Sequence, residues 1–118
     1  MKYMCLVYGE EKDLHALTTE RSAKLDSDSL AYDRTLDRQG KLIVAEALQS
    51  VTSAKTVRRR NGKRLVTDGP FAETKEQLLG FVMIEAGDIE EALDLAAGIP
   101  LAELGTIEVR AIYDVPGS

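Results

Sequence analysis

The sequence predicts an α+β domain of ferredoxin-like order, namely strand, helix, strand, inserted hairpin, strand, helix, strand, with an antiparallel sheet. Three features carry that reading. Two short runs, Lys2–Tyr8 and Leu78–Ala86, are apolar on both faces, as strands covered from both sides are. Two stretches with apolar residues at helical spacing each start at a capping residue and stop at a glycine. Between them, Asn61-Gly62 separates two short strand-like runs, the strongest short-range signal of a hairpin.

Taken in order, the first strand (KYMCLVY) is closed by Gly9, and His15 falls in the loop that follows. Thr18 or Thr19 offers a hydroxyl cap to a helix near residues 19–39, in which Leu25, Ser29, Tyr32 and Leu36 share one face until Gly40 stops it. Arg21, Lys24, Asp28 and Asp33 read as the solvated face. Lys41–Leu48 is the second strand, and Thr56–Arg60 with Lys63–Thr67 forms the inserted hairpin, residues 56–67. In Leu78–Ala86, Leu79, Phe81 and Met83 point one way and Val82 and Ile84 the other. Asp88, with Glu91 three residues on, caps a second helix whose stripe is Ile89, Ala92, Leu93 and Ala96, before Gly98 and Pro100 end it. Ile107–Tyr113 is the last strand, and residues 115–118 are expected to be a mobile tail.

Right-handed crossovers put both helices on one face of such a sheet and leave the other face bare. The central strands are nevertheless apolar on that side as well. A second copy packing sheet to sheet, a homodimer in the form of a dimeric α+β barrel, is the simplest cover.

The 118 residues suit a single domain, 1–118, that buries enough surface to fold without disulfides or metals. A formal charge of −5 argues against general affinity for nucleic acid, and no run approaches the roughly 20 apolar residues of a membrane helix. The chain reads as soluble, unprocessed and cytoplasmic, without membrane or nucleic-acid partners. Cys5 and His15 are each the sole residue of their type, so no Cys or His cluster can hold a metal. With no phosphate loop, dinucleotide fingerprint or metal motif, no cofactor is expected.

Asp68-Gly69-Pro70-Phe71 forms a stiff corner: Asp68 can bond nearby amides, Gly69 permits unusual dihedrals, Pro70 fixes φ, and Phe71 can anchor the loop in the core. The run DGPFAETKEQLLGFVMI, Asp68 to Ile84, resembles the signature of the YCII-related proteins, specifically their DGPF branch. The resemblance extends more loosely from KYMCLVYG at Lys2, through VTDGPF at Val66, to the IEVRAIY end. It implies a dimeric α+β barrel with a cleft lined partly by this corner, and an association of some relatives with alternative sigma factors. In the YCII proteins proper, a His on the long helix, with an Asp, is the suspected acid/base pair. Here the helix from Thr19 to Gly40 holds no His, so that role is not carried over to His15.

Asp68 is the candidate catalytic group, since a carboxylate in a partly apolar cleft can act as an acid or base; the plainer reading is a turn cap. Glu73 and Lys75 could add a second carboxylate and an anion contact, or form a solvated run with Glu76. Phe71, Tyr32 and His15 could line the cleft, against core packing for Tyr32 and a surface position for His15. Arg58, Arg59, Arg60, Lys63 and Arg64 make a basic hairpin that could grip an anionic ligand or an acidic partner surface, against the plainer reading of a charged, soluble hairpin that avoids edge-to-edge aggregation. Cys5 reads as inert packing. The leading expectation is a small-molecule cleft used for cofactor-free proton transfer, isomerisation or hydrolysis on a small organic acid. The alternative is a regulatory module that binds a protein such as an alternative sigma factor.

Overall fold

The fold is described from a computed structural model covering residues 1–118. In chain order the elements are β1 (Lys2–Gly9), α1 (Glu11–His15), α2 (Thr19–Arg38), β2 (Leu42–Ala47), β3 (Lys55–Arg60), β4 (Lys63–Asp68), β5 (Gln77–Glu85), α3 (Ile89–Ala97) and β6 (Thr106–Ala111). Four strands form one sheet in the order β2-β5-β1-β6, and every pairing in it is antiparallel. The other two, β3 and β4, form a separate two-stranded sheet. The large sheet does not close on itself; the chain is α+β with antiparallel sheets and three α-helices.

Alternation along the two central strands decides what each face meets. On one side Tyr3, Cys5 and Val7 of β1 and Val82 and Ile84 of β5 are buried, packed with Leu36 of α2, Ala92 and Ala96 of α3, and Ile99. On the other side Met4, Leu6, Phe81 and Met83 remain half-exposed and pair across the strands, Met4 with Met83 and Leu6 with Phe81. The chain thus covers one apolar face and leaves the second to solvent. No helix is long and apolar enough to cross a membrane.

The helix ends form where the sequence signals them. The Thr18 hydroxyl accepts from the Arg21 N–H at 3.1 Å, which starts α2. Its end is a Schellman turn: Gly40 takes φ +70°, its N–H donates to the Asp37 carbonyl, and the Lys41 N–H donates to the Leu36 carbonyl. Asp88 caps α3 by accepting from the Glu91 N–H at 2.9 Å, while the Glu91 carboxylate accepts from the Gly87 N–H and pairs with Lys41. Asn61 and Gly62, at φ +50° and +74°, supply the tight β3–β4 turn.

Four expectations are corrected. The segment before α2 is not a plain loop but carries α1, with His15 as its last residue, because the Asp13 and Leu14 amides close a turn onto the Glu10 carbonyl and Glu11 bonds to neighbouring segments. In α3 the stripe is narrower than the periodicity suggests: the small Ala92 and Ala96 pack on the sheet, whereas Ile89 and Leu93 are 44% and 45% exposed. Phe71 does not anchor its corner in the core and is 79% exposed. Asp33, read as part of the solvated face of its helix, is half-buried over the sheet.

Candidate functional site

The C-terminal half of α2 is held to the domain by Leu36, 1% exposed, and by Tyr32. Its N-terminal half has no such anchor, and a groove of about 760 Å³ opens there against the β2–β5 side of the sheet. Leu25 and Leu30 of α2, Ala45 of β2, Val82 of β5 and Leu14 of α1 give it an apolar lining. A groove of this size, mostly apolar with a few polar groups, has the form of a small-molecule site.

The polar groups come from two elements. Ser22, Asp26, Ser29 and Asp33 follow one another at helical spacing along α2 and all reach the groove. From α1 come Glu11 and His15. Glu11 fixes α1 in place: its carboxylate accepts from the Val51 N–H and the Ser50 hydroxyl, both at 2.7 Å, and its own N–H donates to Gln77 Oε1 at 2.9 Å. The Val51 N–H and the Ser50 hydroxyl hold the Glu11 carboxyl below the usual range, with a smaller pull from His15. Burial does the opposite to Asp33, pushing its carboxyl above the usual aspartate range. The two carboxyls therefore differ in protonation behaviour, as groups with separate acid and anchor roles do.

The groove's charged lining is Glu11, Asp26, Asp33 and Glu46, with no Lys or Arg. None of the four takes part in the chain's ion pairs. Such a lining attracts cations, admits neutral molecules and repels carboxylates and phosphates.

Of the candidate site residues Asp68, His15, Tyr32, Phe71, Glu73 and Lys75, only His15 lines this groove. Asp68 ends β4 with its side chain 86% exposed, paired with Lys55 at 2.5 Å. Glu73 is exposed, and Lys75 reaches only Glu10, at 4.0 Å. Tyr32 serves packing between helices: its hydroxyl donates to the Leu95 carbonyl at 2.6 Å, and Gly98 lies against its ring. Burial holds the Cys5 thiol up at about 11. Asp33 and Glu11 are the groups that sequence reasoning passed over. A signal for Asp33 existed in the small polar stripe Ser22, Asp26, Ser29, Asp33. None existed for Glu11, whose partners lie far along the chain.

The model of the YCII-related domain matches residues 1–116. An uncharacterized protein of Rhizobium meliloti (strain 1021) is 40% identical over 114 residues, covering 95% of this chain and 92% of its own length. A match that spans the sheet, all three helices and both walls of the groove leaves no doubt of kinship: the chain belongs to the YCII-related family.

Proposed function

We propose that the protein binds a neutral or cationic small molecule in the α2 groove and moves a proton on it with Asp33. What supports this reading is the burial of one ionisable carboxyl inside an apolar groove, which raises its affinity for a proton toward the range useful to a general acid or base. His15, the chain's one imidazole, stands in the same groove as the second proton carrier. Asp68 serves the corner and its pair with Lys55, and the DGPF branch is read from that corner's sequence. The strand order and shared helix face fit a ferredoxin-like unit, and the bare face fits sheet-to-sheet pairing with a second copy.

A thermal-shift screen of amines, neutral metabolites and carboxylates tests this directly, since a ligand held only by the folded state must stabilise it. Amines or neutral compounds are expected to raise the melting temperature of the wild type and of Asp68→Asn, but not of Asp33→Asn. Loss of response in Asp68→Asn with retention in Asp33→Asn would return the site to the corner. In the free protein Asp33 has a pH signature of its own. A carboxyl whose folded pKa is raised contributes stability fully below the unfolded value, about pH 4, and loses it as pH rises through the raised value. Asp33→Asn is therefore expected to gain on the wild type as pH rises from about 4 through the raised value and to keep that gain above it, read by denaturant midpoints at each pH.

The exposed β3–β4 hairpin favours a second reading, an interaction module for a protein such as a sigma factor. That reading expects no small-molecule response.

A further inference from the structure

Of the twelve strand residues of the β3–β4 arm, eleven are exposed. Its base is rigid, with the Gly69 N–H donating to the Ala54 carbonyl at 2.7 Å and the Thr56 hydroxyl donating to the Gly69 carbonyl at 2.8 Å. Beyond the base the arm stands away from the large sheet. The radius of gyration, 16.3 Å, exceeds the roughly 13.5 Å of a compact chain of this length, and the molecule measures 47 × 46 × 19 Å.

A lone two-stranded hairpin is marginal in water. This one is further strained by its charges, because Arg59 lies opposite Arg64 and Arg60 opposite Lys63. Arg58, Arg59, Arg60, Lys63 and Arg64 are absent from the chain's ion pairs. The face that carries Arg59 and Arg64 also carries the cross-strand pair Val57 and Val66, 65% and 44% exposed. Arginine beside exposed apolar side chains is the composition of an interface core.

The chain contains the complement of this surface. Residues 55–68 hold six cations and one carboxylate, a formal +5 in a chain of −5, so the remaining body carries −10. That acidity is mixed with cations along α2 but not within the α3 segment: residues 85–105 hold six carboxylates and no Lys or Arg. Of these, Glu91 is met by Lys41 and Glu85 by the N-terminal amine, which leaves Glu90 and Asp94 outside any ion pair. On the outer side of α3, Ile89 and Leu93 are half-exposed one turn apart, beside the exposed Glu90 and Asp94. An apolar pair flanked by anions thus matches an apolar pair flanked by cations. A six-residue arm spans about 20 Å, enough to cross the 19 Å thickness of a body.

We propose that the arm of one copy docks on the outer face of α3 of a second copy, reciprocally about a twofold axis. The proposal rests on the pairing of two copies advanced above, and adds a contact outside the sheet face. Sedimentation velocity at several salt concentrations tests it with four proteins: wild type, Arg59→Glu/Arg64→Glu, Glu90→Lys/Asp94→Lys, and the combination of all four changes. All sites are exposed, so circular dichroism should show each variant folded. Each double reversal is expected to weaken the dimer at least tenfold and the combination to recover most of the loss, with wild-type dimerisation falling as salt rises. Unchanged dimerisation in either double variant, or no recovery in the combination, overturns the proposal. Retained dimerisation together with lost binding to a duplex DNA probe also overturns it, in favour of a polyanion partner. Leu6→Lys, on the bare sheet face, separates this contact from the sheet pairing. If it alone dissociates the dimer, the arm contact fails and sheet pairing stands; if only the arm and α3 reversals do, sheet pairing fails. A wild type monomeric at 100 μM removes both.

Discussion

Leu36→Ala is expected to destabilise the protein by about 3 kcal/mol, within the range of large-to-small changes at fully buried leucines. Leu36 is the only buried residue of the twenty in α2, so the helix has no second anchor of the same quality to absorb the loss. Tyr32 holds one turn earlier, but by a single hydroxyl bond and a half-buried ring. Denaturant unfolding monitored by circular dichroism measures the effect, with Leu30→Ala as the comparison. Leu30 is 59% exposed and its truncation should change stability by no more than about 0.5 kcal/mol. A loss below about 1 kcal/mol for Leu36→Ala would show that α2 is held by other contacts. Because α2 is also a wall of the groove, the variant should lose ligand response well below the temperature at which the sheet melts.

Gly105→Ala is expected to be at least as damaging, for a steric reason. Gly105 joins the turn after α3 to β6, and a Cβ there would drive into the Tyr8 carbonyl and lie 3.1 Å from Gly9 Cα, both backbone. Neither neighbour can swing away as a side chain could. The next residue, Thr106, pairs with Tyr8, so relief requires β6 to part from β1. A cost of about 3 kcal/mol follows from overpacking of this kind. Gly87→Ala is the control: nothing lies within 4 Å of its would-be Cβ and its φ is not positive, so the change should be neutral or slightly stabilising. If both variants melt alike, the close approach of β6 to Tyr8 is wrong.

Periodicity and punctuation made most of the fold legible. Thr18, Gly40, Asp88 and Asn61-Gly62 act within a few residues of themselves, and each stands where its local chemistry predicted. What failed was whatever depended on distant partners. Helix α1 is fixed by Ser50, Val51 and Gln77, far away in sequence, so no local pattern announced it. The stripe of α3 failed for a related reason: apolar spacing includes Ile89 and Leu93, but the sheet accepts only the small Ala92 and Ala96. At the groove the difficulty was one of emphasis. Asp33 belongs to a polar stripe beside Leu25, and a charged residue on a helix is ordinarily solvated, whereas the conspicuous Asp68 corner drew attention to a segment that lies outside the groove.

The position of Cys5 has a practical consequence. It is the sole thiol, it lies at 0% exposure in a central strand, and its pKa of about 11 leaves roughly a hundredfold fewer thiolates at neutral pH than an ordinary cysteine. Alkylation at this sulfur must therefore wait for the sheet to open, and the rate of modification reports how often that happens. The protein carries its own clock for opening, with no label to introduce. Val7 and Val82, on the same side of the sheet as Cys5, also line the groove. A molecule seated there should slow the clock by the factor by which it disfavours the open form, so that occupancy can be timed even for a ligand that leaves no spectral trace.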